Sequence, residues 1–284
     1  MNDELMDFVP KVHFELVPIK DLVSNQDYQR NISMPHVLKA VDNFDLNQIN
    51  PIKISRRNGI NYVFNGQHTA EIVAMASGSR DTPVWCMIYD DLDYSEEADI
   101  FANQMKNVKP LLPIEIFNAN CEAGNNKELL IRGLVESYDL KIAPNPGVGC
   151  ICAVGSLINI LDKYGYSLLD RVIKLIVITW EGEPRSFASS MLLGLAKLIN
   201  AFDDTIKDEI FKEKLGEISI KEISKVAKER RAGSLGYAEA MLIFYNKKCK
   251  NGLQWNRLYA AKPINRDNLP AESPEITEFS PETE

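Results

Sequence analysis

Residues 60–69, Ile60-Asn61-Tyr62-Val63-Phe64-Asn65-Gly66-Gln67-His68-Thr69, decide the fold of the first part of the chain. Apolar and polar side chains alternate up to Phe64, which is the pattern of a β-strand. The segment Pro51–Ser55 alternates in the same way, and Asn58-Gly59 between the two predicts a hairpin. The residues from Thr69 to Ala76 have helical periodicity, and Gly78 is a typical helix end. The stretch therefore predicts a hairpin whose second strand runs directly into a helix.

The segments on either side extend this pattern. Alternation from Val12 predicts a strand that Pro18 interrupts, and residues 82–89 predict another strand. Ser33 is suited to cap a helix, and the apolar residues that follow it predict one inward face, made of Val37, Leu38, Val41 and Phe44. A further helix is predicted from Ser95 to about Asn107. The first part of the chain is thus expected to mix helices and strands.

After Pro113 the strand signals become sparse and helical periodicity takes over. The predicted helices are 114–123, 126–138, 151–164, 168–179, 187–200, 204–213, 219–231 and 235–249. The end of the chain combines prolines with Glu, Ser and Thr, a composition typical of disorder. The sequence predicts the α+β class: a small mixed domain (12–117), an all-α helical domain (118–261) and a disordered acidic tail (262–284).

Charge is unevenly distributed. The chain has 32 Lys and Arg against 40 Asp and Glu, a net charge of −8, which by itself disfavours nucleic acid as a partner. Residues 262–284 contribute −4 and residues 1–204 contribute −9, whereas residues 205–261 are net +5. Any DNA contact is therefore expected on the C-terminal helices.

Several patterns indicate the compartment. No apolar run is long enough to span a bilayer, and the N-terminal residues are acidic rather than basic. The five cysteines are scattered, and neither they nor the three histidines have metal-ligand spacing. We expect a cytoplasmic protein with free thiols and no membrane contact.

The junction at Gly66 is the clearest candidate site. A glycine that enters a helix leaves the first backbone N–H groups accessible, and the helix dipole favours an anion there. The alternative is that Gly66 only makes a tight turn between strand and helix. Spacing alone leaves both open.

Three short sequence motifs, which we call boxes, follow one another along the chain and resemble the N-terminal domain of the ParB/sulfiredoxin-like superfamily. The first is Tyr28-Gln29-Arg30, the second is Gly66-Gln67-His68-Thr69, and the third runs from Glu97 through Asn103-Gln104 to Leu112-Pro113-Ile114-Glu115. The second is a Gly-Gln-His variant of the family's box. The resemblance covers roughly residues 12–117 and implies a ParB-like fold.

The resemblance implies a phosphate-containing ligand such as a nucleotide with Mg²⁺. The residues it places at that ligand are Arg30, Gly66, Gln67, His68, Thr69 and Asn103, with Glu97 as the metal ligand. Gln67 stands where sulfiredoxins have their reactive cysteine, so that activity is not expected. Thr69 replaces the family's phosphate-binding arginine, and Arg30 is the candidate substitute. His68 could donate to phosphate, act as a general acid or base, or simply hydrogen-bond a neighbouring group.

The helical part has one basic stretch of interest. Lys221, Lys225, Lys228 and Arg231 lie on one face of a predicted helix that has the character of a helix-turn-helix element, so they are candidates for DNA contact. The alternative is an amphipathic helix with a solvated lysine face and with Ile220, Ile223 and Ala227 inward.

Three functions follow from these observations. The first is a ParB-like regulator that binds a nucleotide or other phosphate ligand and associates with DNA through residues 205–261. This hypothesis includes a homodimer and an origin in a phage or other mobile element. The second is a ParB-like nuclease or nucleotide hydrolase, for which the sequence offers no complete set of acids and histidines. The third is a protein-interaction scaffold with a degenerate pocket.

Overall fold

The structure is a computed structural model that describes residues 7, 9–24, 28–29, 31–106 and 110–265. Its internal contacts divide the chain into an N-terminal unit, residues 1–110, and a C-terminal unit, residues 111–284. The predicted α+β class is confirmed, because a mixed sheet forms the first unit and helices dominate the second. The limits 12–117, 118–261 and 262–284 stay predictions, and most of the predicted tail lies outside the described residues.

The N-terminal unit is built on a five-stranded sheet of order β1-β5-β3-β4-β2. The pairs β1/β5 and β3/β4 are antiparallel, whereas β3/β5 and β2/β4 are parallel. Its elements in chain order are β1 (His13–Pro18), β2 (Leu22–Ser24), α1 (Met34–Asp42), β3 (Ile52–Arg57), β4 (Ile60–Asn65), α2 (Gln67–Ser77), β5 (Pro83–Asp90) and α3 (Tyr94–Lys106). The hairpin, the strand on each side of it and the three helices confirm the predicted elements.

The hairpin forms at the predicted tip. Asn58 and Gly59 both have positive φ, 50° and 74°, and Arg57 pairs with Ile60 across the turn. Two consecutive positive φ values define the type I′ turn, which matches the twist of the two strands it joins. Asn-Gly is the residue pair that adopts this turn at least cost, so a local signal was sufficient to predict it.

One face of the sheet packs on α2. The core of the unit is formed by Ile52, Ile54, Val63, Cys86 and Ile88 from the strands and by Ala70, Val73 and Ala74 from α2. The predicted inward face of α1 is wrong in part. Val37 is fully buried, but Leu38 is 49% exposed and Phe44, beyond the end of the helix at Asp42, is 37% exposed. Phe44 lies beyond the end of the helix, and Leu38 is the direct neighbour of Val37, about 100° around the helix from the buried face.

The C-terminal unit is a helical assembly. Its described helices are α4 (Pro113–Glu122), α5 (Asn126–Glu136), α6 (Val154–Tyr164), α7 (Tyr166–Trp180), α8 (Ser189–Phe202), α9 (Asp208–Leu215), α10 (Ile220–Arg230), α11 (Ser234–Asn246) and α12 (Trp255–Ala260). The eight predicted helices are confirmed, with their ends shifted by several residues. Among the described residues, no helix is both long enough and apolar enough to cross a lipid bilayer.

Two short features of this unit were not predicted. Lys141–Ile142 and Cys150–Ile151 pair in parallel as β6 and β7, so the helix expected from residue 151 begins only at Val154. Helix α12 was also missed. A strand of two residues and a helix of six offer too little periodicity to be recognised from the sequence.

The helices α10 and α11 approach closely at Gly236. A Cβ atom at this position would lie 2.7 Å from the carbonyl oxygen of Ala227, and it would also meet the carbonyl oxygen of Arg231. Contact at that distance does not occur between carbon and backbone oxygen without a shift of the backbone. The absence of a side chain at Gly236 therefore sets how near the two helices lie.

Candidate functional site

The junction between β4 and α2 requires a glycine for two reasons. Gly66 caps the N-terminus of α2 with φ 104°, in the left-handed region. A Cβ atom there would also lie 3.2–3.3 Å from Cα and side-chain atoms of Ile52 on the neighbouring strand. Any other residue would thus combine backbone strain with crowding. The first turn of α2 is held against the sheet by this close approach.

Two residues of the second box have structural partners. Gln67 is buried, and its Oε1 accepts a hydrogen bond from the Ser24 hydroxyl at 2.9 Å. The Nε2 atom of His68 accepts from the backbone N–H of Ser33 at 3.0 Å. In this bond the Nε2 atom of His68 is the acceptor. The ring of His68 also meets the ring of His36 edge to face, with centroids 5.7 Å apart.

Thr69, the third side chain of the box, lines a groove of about 580 Å³ between α1 and α2. We call it the α1–α2 groove. The residues that line it come from α1, from the segment that includes the 3₁₀ helix Leu46–Gln48, and from α2. They are His36, Lys39, Ala40, Asn43, Phe44, Asp45, Gln48, Ile49, Thr69 and Ile72. The sequence did not indicate this groove.

The first box is only partly described. Arg30, the predicted substitute for the family's arginine, lies outside the described residues. Gln29 is buried and its amide donates to the carbonyl of Val63 on β4. Tyr28 contacts Tyr94 and Phe101 on α3, with ring centroids 5.5 and 5.7 Å away. Burial, together with the nearby Glu97 carboxylate, raises the pKa of Tyr28 to about 12.

Glu97, the predicted metal ligand, is completely buried and is paired with an arginine. Its Oε1 lies 2.5 Å from Nη1 of Arg57, and its Oε2 accepts from the Tyr28 hydroxyl at 3.3 Å. Arg57 also donates to the carbonyl of Leu92, and its guanidinium lies 4.2 Å from the centre of the Tyr62 ring. This arrangement supplies the neutralising charge that a buried carboxylate needs.

Asn103, the other third-box residue, is in a different environment. It is exposed, and its amide donates to Asp99 on the same helix at 3.0 Å. In the part of the chain that the structure describes, no three acidic, histidine or cysteine side chains are grouped as metal ligands. The described residues therefore do not form a protein-built Mg²⁺ site, and the role of Glu97 as a ligand stays a prediction.

A second candidate surface lies on α10. The three predicted lysines line one groove of about 590 Å³, which also contains an arginine from the 3₁₀ helix Pro184–Phe187. We call it the lysine groove, and its residues are Arg185, Ser219, Lys221, Glu222, Ser224, Lys225 and Lys228. The four basic side chains are exposed, and within the described ranges none of them forms an ion pair. The opposite face of α10 buries Ile220, Ile223 and Ala227, as predicted.

Arg231 is separated from the three lysines. Its Nε lies 2.9 Å from Oε1 of Glu239, a carboxylate that is completely buried in α11. Arg230 pairs with Oε2 of Glu239 at 3.2 Å, and the Tyr259 hydroxyl donates to Oε1 at 2.8 Å. Arg231 thus belongs to an internal ion cluster that joins α10, α11 and α12, and its contact with DNA stays a prediction.

Two solved structures of the C-terminally truncated chromosome-partitioning protein ParB from Caulobacter crescentus are similar to this chain. The complex with CTP-γ-S matches with a TM-score of 0.33 and 13% identity, over 81% of this chain and 98% of that chain. The complex with the centromeric parS site matches with a TM-score of 0.24 and 10% identity, over 80% and 98%.

No curated protein matches the sequence. A family model matches residues 23–254, which include both candidate sites. Because this match spans most of the chain, the protein belongs to the family of unknown function DUF6551.

Proposed function

We propose that this protein is a ParB-like, DNA-associated regulator of the cytoplasm whose N-terminal unit binds a phosphate-containing ligand. The observation that carries the proposal is the lysine groove. Four basic side chains from two separate elements line it, against one acid, Glu222. Origin from a phage or mobile element, and homodimerisation, stay predictions.

The chemistry of the lysine groove suits a nucleic-acid backbone. Exposed lysines and arginines without ion-pair partners gain most from phosphates, because no internal contact is lost when they bind. The two serines of the groove, Ser219 and Ser224, add hydroxyl groups of the kind that also contact phosphate. Since the surrounding segment is net positive within an acidic chain, the contact is expected to be local to this surface.

The triple variant Lys221→Ala/Lys225→Ala/Lys228→Ala is expected to lose DNA binding at about 50 mM salt. For variants that retain binding, such as Lys225→Ala, the slope of log Kd against log salt should fall by about 0.9 for each lost phosphate contact. Fluorescence anisotropy with a labelled duplex measures both quantities. Arg185→Ala should act in the same direction.

The matched control removes three lysines elsewhere, in the variant Lys247→Ala/Lys248→Ala/Lys250→Ala. These residues follow α11 and lie outside the lysine groove. This control should retain most of the binding. Equal losses in the two triple variants would mean that overall charge, rather than the groove, attracts DNA. If neither the native chain nor the control bound DNA, the DNA association would be refuted.

The phosphate ligand is assigned to the start of α2. Gly66 brings the first turn of α2 to the edge of the sheet without a side chain in the way, and a helix start favours an anion. Thr69 and His68 add polar side chains at the same place. The acidic N-terminal unit lacks a described arginine here, so Arg30 remains the proposed counter-charge.

Calorimetric titration of CTP, ATP and GTP with Mg²⁺ is expected to detect binding of at least one of them. Gly66→Asp should abolish it, because a carboxylate would repel phosphate and a side chain would crowd Ile52. Thr69→Ala and His68→Ala, which preserve the backbone, should each weaken it by about tenfold through a lost charge-assisted hydrogen bond. His13→Ala, on exposed β1, is the control and should leave affinity unchanged. Absence of heat with all three nucleotides would overturn this half of the proposal.

The nuclease, hydrolase and scaffold alternatives have no specific observation in their favour. A nuclease needs acids or histidines that converge on a metal, and no such group of three exists among the residues that the structure describes. The DNA-associated regulator is therefore the function that we propose, with the lysine groove as its main support.

A further inference from the structure

We propose that the α1–α2 groove holds the planar ring of a nucleotide whose phosphates bind at the start of α2. This inference rests on the proposed function and extends it, because it assigns the organic part of the ligand to a groove that none of the three sequence boxes predicts. The groove and the phosphate site share Thr69. Its volume of about 580 Å³ lies within the range of small-molecule pockets.

The apolar part of the groove is suited to a flat ring. Phe44 is 37% exposed although it is aromatic, and Ile49 and Ile72 are half-buried beside it. An aromatic side chain left accessible in a groove offers a stacking surface, and nucleobases of all types stack on such surfaces. Aliphatic side chains complete the contact by displacing water from the ring.

The polar part of the groove is oriented towards the phosphate site. His36 and Lys39 lie one turn apart on α1, and the ring of His36 meets the ring of His68 at the start of α2. Both residues line the groove together with Thr69. Within the described ranges, Lys39 forms no ion pair. An anionic group here would meet the Lys39 ammonium, the His36 ring and the Thr69 hydroxyl, so the phosphates are expected beside these three residues.

The groove also carries side-chain amides. Asn43 and Gln48 both line it, and each amide has a donor and an acceptor. The Asn43 amide donates to the carbonyl of Lys39, whereas the carboxylate of Asp45 accepts from Asn47. Gln48 is therefore the residue that we assign to the polar edge of the ring. A ligand with phosphates and a hydrogen-bonding heterocycle matches this combination of basic, apolar and amide side chains.

The test compares nucleotides with tripolyphosphate on the full chain, each titrated with Mg²⁺ by calorimetry. Phe44→Ala and Gln48→Ala are expected to weaken the tightest nucleotide by about tenfold and to leave tripolyphosphate within about twofold, because stacking and amide contacts involve only the ring. Leu46→Ala is the matched control, since Leu46 lies in the same 3₁₀ helix, is 75% exposed and is outside the groove. Unchanged thermal unfolding verifies that each variant is folded.

The outcomes separate this inference from the proposed function. Tripolyphosphate binding as tight as that of every nucleotide, or unchanged nucleotide affinity in Phe44→Ala and Gln48→Ala, would overturn the ring site. If Thr69→Ala still weakened binding in that case, the phosphate site alone would stand. Binding of neither probe would overturn both.

Discussion

Replacing Gly236 with alanine is expected to destabilise the C-terminal unit by about 3 kcal/mol or more. The added Cβ would lie 2.7 Å from the carbonyl oxygen of Ala227 on α10, so the backbones of α10 and α11 would have to separate. Backbone oxygens cannot move aside as a side chain does, and the surrounding core is fully buried at Ile223 and Ala240. Urea unfolding followed by far-UV circular dichroism measures the loss.

Gly133→Ala is the control for this prediction. Gly133 is exposed in the middle of α5, and a Cβ there would meet no atom within 4 Å. Alanine has the higher helix propensity, so this variant should gain about 0.5–1 kcal/mol. If Gly236→Ala were as stable as Gly133→Ala, the close approach of α10 and α11 would be wrong.

Replacing Arg57 with methionine is expected to cost the N-terminal unit about 3 kcal/mol. The change removes the cation that lies 2.5 Å from the completely buried carboxylate of Glu97. What remains is a buried charge whose described partner is the Tyr28 hydroxyl at 3.3 Å. Native-state hydrogen exchange of β3, β4 and α3 measures the opening free energy of this unit separately from the other.

The double variant Arg57→Met/Glu97→Leu should recover most of that loss, because two apolar side chains replace the pair together. Arg80→Met is a control on a more exposed pair, in which Arg80 is bonded to Glu71 at 2.7 Å. It should cost less than about 1 kcal/mol. A double variant as unstable as the single one would show that the loss comes from packing around Arg57 and not from the unpaired carboxylate.

Local chemistry explains why much of the fold was predictable. Asn58-Gly59 specified its turn, and Gly66 and Gly78 bounded α2, because positive φ values are needed at all four positions and few residues adopt them readily. The helices of the C-terminal unit were predictable from the spacing of their apolar residues, which is also a local signal. Each of these signals is contained within about one turn or one strand of sequence.

The features that were missed depend on partners distant in sequence. Arg185 joins the lysine groove from a separate 3₁₀ helix, and no pattern near α10 indicates it. Glu97 matched a box typical of metal ligands, and no pattern near it indicated its ion pair with Arg57 on the hairpin. Phe44 had the spacing of a core residue but lies beyond the end of α1. The residue types around a position do not indicate which side chain from a distant part of the sequence will contact it.

The hydrogen bonds of Ser24 and Ser33 have a consequence for how the site would evolve. They attach the chain before and after the first box to two consecutive residues of α2, Gln67 and His68. Loss of either bond would release a serine from α2 and raise the conformational entropy of the chain at that point. Under the proposed function, substitutions at Ser24 would change the affinity for phosphate without changing a residue assigned to the ligand, so selection could adjust sensitivity at a distance from the binding residues.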